Sequence, residues 1–385
     1  MEALADRVKT IKRVMNKHGF NLQLGSELKP IERVRFGVLT LDYLFGAPVG
    51  ADGKLNVGLR YGAFHYVTGP QSAGKSSAML KVASNIQKTG EPVLIVDGGR
   101  TLDDPRYNSA MGLDPEYTFF VREETEEKNL EAIRKAIDAG VRVLLIDDWA
   151  ALCPAGELRK TSNKGQGKER DLSDQQVGLQ ARVASKFFRM TTHLVSQKNA
   201  IVLITQQLRT TGIGTVMVRD EETGGNAQKF YAATSWFLRR GKSGECPRQG
   251  STLSGTPVGF AQVITVKKTK GGKTQPIGTN MNLQWVEEKG WEPGREAFLF
   301  LHGRKLLDAS GRGGWTLNRD SGPFKEGTAW KSRRDAESAL GEATDDLLRY
   351  FLSGTAGPVP ESDEGEPIDS QDEGSADPST ESEEE

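Results

Sequence analysis

The sequence predicts an α/β protein: a mostly parallel sheet with helices on both faces, an N-terminal helix, a small C-terminal α/β domain and a disordered acidic tail. Three observations carry this. A glycine-rich loop, Gly69-Pro70-Gln71-Ser72-Ala73-Gly74-Lys75-Ser76, lies between a strand-like run, 64–68, and a helix-like run, 77–86. Apolar runs at 93–97, 143–148 and 201–205 are short and nearly continuous, as in strands buried on both faces. Helical or polar stretches separate them, and that alternation argues for a parallel sheet whose functional residues sit at the carboxyl ends of its strands.

Taken in order, residues 2–18 read as an amphipathic helix. Leu4, Val8, Ile11 and Met15 recur at helical spacing, Gly19 is a stop, and Arg7, Lys9, Lys12, Arg13 and Lys17 line the other face. The apolar stripe needs cover, from its own domain or from a neighbouring subunit. Residues 36–46 lead into the nucleotide domain. The loop at 69–76 fits G-x-x-x-x-G-K-[ST] in its strand–loop–helix setting. Its glycines let backbone N–H groups face phosphate oxygens, and the helix N-terminus adds its positive end. Lys75 would reach the β/γ phosphates and Ser76 would place a hydroxyl on Mg²⁺. The strand at 93–97 ends in Asp97, followed by Gly98-Gly99-Arg100; 126–139 reads as a helix. The strand at 143–148 ends in Asp147 and Asp148, and Asp147 can hold the Mg²⁺ shell beside Ser76. The strand at 201–205 ends in Gln206 and Gln207.

Composition bounds the rest. The chain has 385 residues, 36% hydrophobic, with a mean hydropathy of −0.51 and no apolar run long enough to cross a bilayer. The N-terminus, with Glu2 and Asp6, lacks the apolar core of a signal peptide. Two cysteines, Cys153 and Cys246, make no disulfide framework and fit a reducing cytosol; four scattered histidines argue against structural zinc. The net charge of −1 hides an asymmetry. Twelve of the 52 acidic residues and none of the 51 basic ones fall in 351–385, leaving a basic body with an acidic tail. That balance suggests a polyanionic partner and an internal competitor for it, or a tail that only solubilises.

Two segments are too polar for a core. The first, 157–176, carries Arg159, Lys160, Lys164, Lys168 and Arg170. The second, 209–222, has Arg209 and Arg219 near its ends, with Ile213, Val216 and Met217 between. Basic residues around apolar tips suit single-stranded nucleic acid, whose phosphates meet Arg and Lys while apolar groups enter base steps. Basic residues interleaved with Trp291 and Trp315 across 286–350 suggest a duplex-capturing surface or simply a solvated one.

Together these residues resemble the bacterial RecA-type DNA strand-exchange recombinases, with a phage-encoded source left open. The most specific match is Glu222-Thr223-Gly224-Gly225-Asn226-Ala227-Gln228-Lys229-Phe230-Tyr231-Ala232, followed by Arg239-Arg240. Order and spacing follow the family from about 36 to 290 through Gly69–Ser76, Leu145–Leu152, Val177–Arg182, Gln206–Arg209 and Lys268-Thr269-Lys270. The resemblance implies a RecA-like ATPase core at 36–285, an assembly helix in 1–35, a C-terminal domain at 286–352 and a regulatory tail at 353–385. It implies ATP with Mg²⁺, contacts from Ser77, Asp103 and Tyr107, and Lys268 and Lys270 reaching the ATP of the adjacent protomer. Gln207 falls on the γ-phosphate sensor. The DNA loops fall at 157–177 and 208–223, and Arg182, Arg209, Gly224, Gly225 and Asn226 on positions that contact the DNA backbone. Ile213 and Val177 are candidates for base steps. Implied partners are single-stranded and homologous duplex DNA, further protomers in a helical filament, and single-strand-binding or mediator proteins, in a bacterial or phage-infected cytoplasm.

One position departs from the pattern. The family's catalytic glutamate would stand at Gly99, which offers no carboxylate. Hydrolysis is then expected to be slow or to use a displaced acid, with Asp148 the candidate. Two rivals share the core: a hexameric helicase or other motor ATPase, which needs robust hydrolysis, and a DNA-binding mediator that keeps the nucleotide site only as an assembly switch.

Overall fold

The computed structural model describes residues 2–20, 22–28, 31–46, 54–55, 57–158, 178–211, 219–222, 227–242, 246–248, 256–270, 277–311 and 313–353. Helix α1 (Glu2–Lys17) comes first, then β1 (Arg33–Val34), α2 (Leu39–Leu44) and β2 (Leu59–Arg60). The alternating stretch follows: β3 (Ala63–Gly69), α3 (Lys75–Gln87), β4 (Val93–Asp97), α4 (Pro105–Ala110), β5 (Thr118–Val121), α5 (Glu126–Asp138), β6 (Val143–Asp147), α6 (Ala155–Leu158), α7 (Leu179–Gln197) and β7 (Ile201–Thr211). After β8 (Arg219–Glu222) and α8 (Ala227–Tyr231) come β9 (Ala232–Arg240), β10 (Gly259–Thr269) and β11 (Asn280–Val286). The C-terminal part is α9 (Pro293–Gly303), β12 (Leu307–Ser310), β13 (Gly314–Leu317), β14 (Ala329–Trp330), α10 (Arg333–Glu342) and α11 (Thr344–Leu352).

The large sheet runs β11-β10-β9-β3-β7-β6-β4-β5, with β8 on β7. From β9 to β5 every pairing is parallel, whereas β10 with β9, β11 with β10 and β8 with β7 are antiparallel. Both faces are covered, which explains the unbroken apolar runs. Val93, Ile95, Val143, Leu145, Ile201 and Leu203 pack on the face of α3, with Met79 and Leu80. Their alternates Leu94, Val96, Leu144, Ile146, Val202 and Ile204 pack against Ile133 of α5 and Phe187 and Phe188 of α7. Phe298, Leu340 and Leu348 join the first cluster, so the small antiparallel sheet β12-β13-β14 and its helices share that core.

The apolar stripe of α1 is only partly covered within the chain: Leu4 and Ile11 are exposed and Val8 and Met15 half-buried, with Val14 exposed beside them. Three readings of the sequence change. The strand after Ile201 does not stop at Thr205; it continues to Thr211 and pairs with β8, Arg209 opposite Glu221, so the second basic segment begins as a hairpin. Trp291 is 3% exposed and cannot be a surface aromatic. Arg304 is stacked on Phe300, 3.6 Å from the ring centre, and Arg333 lies over Phe298 while bonding Glu337, so the basic C-terminal surface is narrower than its sequence suggests. Arg159, Lys160, Lys164, Lys168, Arg170, Val177, Ile213, Gly224, Gly225 and Asn226, and the acidic tail, lie outside the described residues.

Glu126, which opens α5, is buried with neither carboxylate oxygen in hydrogen-bonding geometry. Burial first, then Glu127 and Glu157, push its carboxyl up from the usual 4.5 to about 8, with the Trp149 indole opposing. Below 4.5 both folded and unfolded chains are protonated there. Between 4.5 and about 8 only the folded chain is, so folding takes up a proton and stability falls as pH rises across that window. Glu126→Gln is therefore expected to stabilise by on the order of 2 kcal/mol at pH 7, and by little near pH 4.5. Urea unfolding at both pH values measures this; equal gains at both would contradict it.

Candidate nucleotide site

The strands carrying the predicted residues end at one edge of the sheet, with Gly69 paired to Gln207 and Asp97 to Asp147. Two glycines of the loop are demanded by space. A Cβ on Gly69 would stand 2.0 Å from the Leu238 carbonyl oxygen, and one on Gly74, which caps α3 at φ +84°, 2.6 Å from Gln262 Nε2. Lys75, the first residue of α3, folds back over the loop and donates to the carbonyls of Gly69 at 3.0 Å and Pro70 at 2.7 Å. Burial lowers its pKa, and the negative charges of Asp148 and Asp147 oppose that.

Ser76 donates from Oγ to Asp147 Oδ1 at 2.9 Å, and Thr205 donates to the same oxygen. Asp147 is 1% exposed; burial pushes its carboxyl up to about 6 against the help of both hydroxyls. Among the described residues it forms no ion pair, which is the state of a buried carboxylate that a cation would complete. The donor set therefore fits Mg²⁺, an oxygen-seeking ion, and the loop fits a triphosphate.

Around this centre, Tyr107 on α4 has its hydroxyl 2.5 Å from Ser77 Oγ, which brings it beside the loop. Asp103 instead pairs with Arg122 at 2.7 Å, and Arg122 also holds Asp97. Asp148 accepts from Ala150 N at 2.9 Å; burial pushes its carboxyl up, and hydrogen bonds from Ala150 and from the backbone and side chain of Gln207 oppose that. Gln207 and the candidate acid are thus neighbours. Gly98 N donates to Asp147 O at 2.8 Å, so the chain reaches Gly99 directly beside the site. A Cβ on Gly99 would meet nothing closer than Thr101 Cγ2 at 3.4 Å.

Lys268 and Lys270 do not approach the phosphate loop. Lys268 lies level with Ser235 and Thr269 with Thr234, near the start of β9, whereas the phosphate loop leaves the far end of the parallel strand β3. Lys268 bonds the Lys229 carbonyl and Lys270 the Phe230 carbonyl, where α8 ends. Arg182 is exposed in the first turn of α7, and Gln180 ties that turn to the carbonyls of Trp149 and Leu152. Sequence reasoning missed Thr205, whose signal was its place at a strand end beside Gln207. It also missed Arg240 and Gln262, which donate to the Ser72 and Ala73 carbonyls from behind the loop, both at 2.8 Å.

A glycine loop opening a helix, a hydroxyl–carboxylate pair beside it and a doubly covered parallel sheet define a phosphate-loop nucleotide-binding protein. The family model described as RecA N-terminal domain matches residues 2–271, and the chain belongs to the RecA family. Among curated relatives, Protein RecA of Rippkaea orientalis is 31% identical over 243 residues, covering 61% of this chain and 64% of that one. Protein RecA of Bdellovibrio bacteriovorus is 33% identical over 245 residues, covering 62% and 59%. That of Trichodesmium erythraeum is 33% identical over 242, covering 62% and 61%. The matched region spans less than two thirds of these relatives' length. No described helix is long and apolar enough to cross a membrane.

Proposed function

We propose that the protein is an ATP-dependent homologous recombinase that assembles head to tail on single-stranded DNA and pairs it with homologous duplex. The observation that carries this reading is the course of β7. Thr205 on this strand bonds Asp147, Gln207 acts on Asp148, and Arg209 follows on the same strand. One rigid element thus joins the nucleotide centre to the segment whose residues 208–223 would meet DNA. In this reading Gly69–Ser76, Ser77 and Tyr107 hold ATP, Ser76 and Asp147 hold Mg²⁺, and Lys268 and Lys270 meet the ATP of the next protomer. When bound, the triphosphate and its metal supply the charge that draws neighbouring protomers together. Arg182, Arg209 and Arg219, with the basic residues of 159–170 and the glycines of 224–225, take DNA phosphates. The exposed Leu4, Ile11 and Val14 of α1 support self-association, and a contact between unlike faces need not close into a ring.

Electron microscopy on single-stranded DNA with ATP separates filament, ring and neither, and a D-loop assay on the same sample separates recombinase from accessory protein. Filaments with D-loops are expected; rings would indicate a motor ATPase. Gly99 favours a second reading, a mediator that binds ATP only to assemble, for which filaments form without D-loops.

The cross-protomer role of the lysines makes its own prediction. The double variant Lys268→Ala, Lys270→Ala is expected to bind ATP as dilute monomer within about twofold of the wild type, while the protein concentration needed for ATP-dependent assembly rises at least about tenfold. Light scattering against protein concentration measures this. Loss of ATP binding by the dilute monomer would place the lysines in their own protomer's site.

A further inference from the structure

We propose that Gln262 is a positioning residue for the phosphate loop, and that Trp291, at the entrance to the C-terminal domain, holds its amide in the working orientation. The inference rests on the reading that this loop binds ATP. It starts from peptide geometry. A trans peptide points its C=O and the following N–H in opposite directions. The loop works by aiming N–H groups at phosphate oxygens, so whatever holds its carbonyls from behind decides where those N–H groups point.

Two carbonyls are held in this way. Ser72 O accepts from Arg240 Nε at 2.8 Å, and the Arg240 guanidinium is itself fixed over the Phe260 ring at 3.8 Å. Ala73 O accepts from Gln262 Nε2 at 2.8 Å. The N–H groups in the same two peptides belong to Ala73 and Gly74, and both are turned away from the brace. Gln262 is fully buried, and its Oε1 accepts from the Trp291 indole N–H at 2.9 Å. That bond selects one face of the amide. Rotated by half a turn, Gln262 would set oxygen against the Ala73 carbonyl and NH₂ against the indole N–H, two contacts between like groups in a dry site.

Trp291 is fixed in turn. Its ring meets Trp285 edge-on at 5.2 Å, Trp285 stacks on Phe260, and Phe260 would lie 3.1 Å from a Cβ on Gly74. Helix α9 begins two residues later, at Pro293. A short path therefore runs from the C-terminal domain through Trp291 and Gln262 to the Ala73–Gly74 peptide. A shift of α9 that moves the indole releases the amide, and nucleotide affinity falls.

Titration of the full-length protein with a fluorescent ATP analogue and Mg²⁺, well below the melting temperature, tests this. Gln262→Met keeps the volume and loses both bonds; its affinity is expected to fall about tenfold. Gln262→Glu keeps the acceptor for Trp291 but loses the donor to Ala73, and is expected to be at least as weak. Trp291→Phe keeps a ring and frees the amide; a loss of about threefold or more is expected. Ile137→Ala, a core truncation in α5 on the opposite face of the sheet, controls for plain destabilisation and should lower the melting temperature without moving the affinity. Affinity within about twofold of wild type in Gln262→Met overturns the proposal. Should the Gln262 variants not fold, unchanged affinity in Trp291→Phe overturns it equally. A wild type that binds no ATP defeats the phosphate-loop reading itself, whereas a wild type that binds and variants that match it defeat only this inference.

Discussion

Lys75→Met is expected to lower ATP affinity by about a hundredfold or more while leaving the protein folded. Methionine reproduces the reach and much of the volume of the side chain, so the packing of α3 against the sheet stays. What goes is a cation that is 7% exposed, in a site where little water is present to screen it. Lys75 donates to the Gly69 and Pro70 carbonyls, and methionine loses both bonds. Burial already lowers its pKa, so the folded state gains little from the charge itself. Removing the charge and losing two hydrogen bonds roughly offset each other, and the melting temperature without ligand should move by only a few degrees. The clean readout is the shift that ATP produces. Wild type is stabilised by saturating ATP through mass action, and the variant is not. A Lys75→Met protein whose melting temperature still climbs with ATP would remove the loop from the mechanism.

How far the sequence could be read depends on how local each signal is. The phosphate loop was legible because its pattern is local: glycines five positions apart, a lysine at the first helical position and a serine next to it, although the contacts with Leu238 and Gln262 that demand the glycines are not. The place of Asp147 at a strand end was legible because the apolar run of β6 stops at it. Strands β9, β10 and β11 were not recognised. Their antiparallel pairing puts chain segments far apart in sequence side by side, and Ala232–Arg240 mixes small, aromatic and charged residues without a clean period. For the same reason Arg240 and Gln262 could not be assigned to the loop they brace, since residue 262 meets residue 73 only through the sheet order. Trp291 misled because its sequence neighbours are polar, whereas its burial comes from Trp285 and Gln262. Thr205 to Gln207 continue as strand beside β3 and Leu208 to Thr211 beside β8, and a polar antiparallel pair carries no hydrophobic alternation to announce itself.

Gly99→Glu is expected to raise ATP turnover on single-stranded DNA by about a hundredfold, the usual worth of a well-placed general base. Glycine at 98 is required: a Cβ there would meet Leu152 Cδ2 at 2.8 Å and Asp148 O at 2.9 Å. Glycine at 99 is not, since its nearest neighbour would be Thr101 Cγ2 at 3.4 Å and its backbone avoids the left-handed region. The carboxylates already nearby are committed elsewhere. Asp97 accepts from Thr101 N at 3.0 Å and pairs with Arg122, Asp103 pairs with the same arginine, and Asp148 caps the turn at Ala150. None of these is poised to take a proton from water, whereas a glutamate at 99 leaves the strand end beside Asp147 on a side chain long enough to reach inward. If Asp148 is the working acid instead, the wild type already turns ATP over briskly, Asp148→Asn stops it, and Gly99→Glu adds little. If no base exists, wild-type turnover is slow, Asp148→Asn leaves it slow, and Gly99→Glu supplies the missing step. Gly98→Glu serves as the control, lowering stability without raising turnover. Gain of activity at 99, with no loss of melting temperature, is the result that a site built to hold ATP rather than to cleave it predicts, and a glutamate that fits there yet changes nothing would count against the loss of a base as the reason for slow hydrolysis.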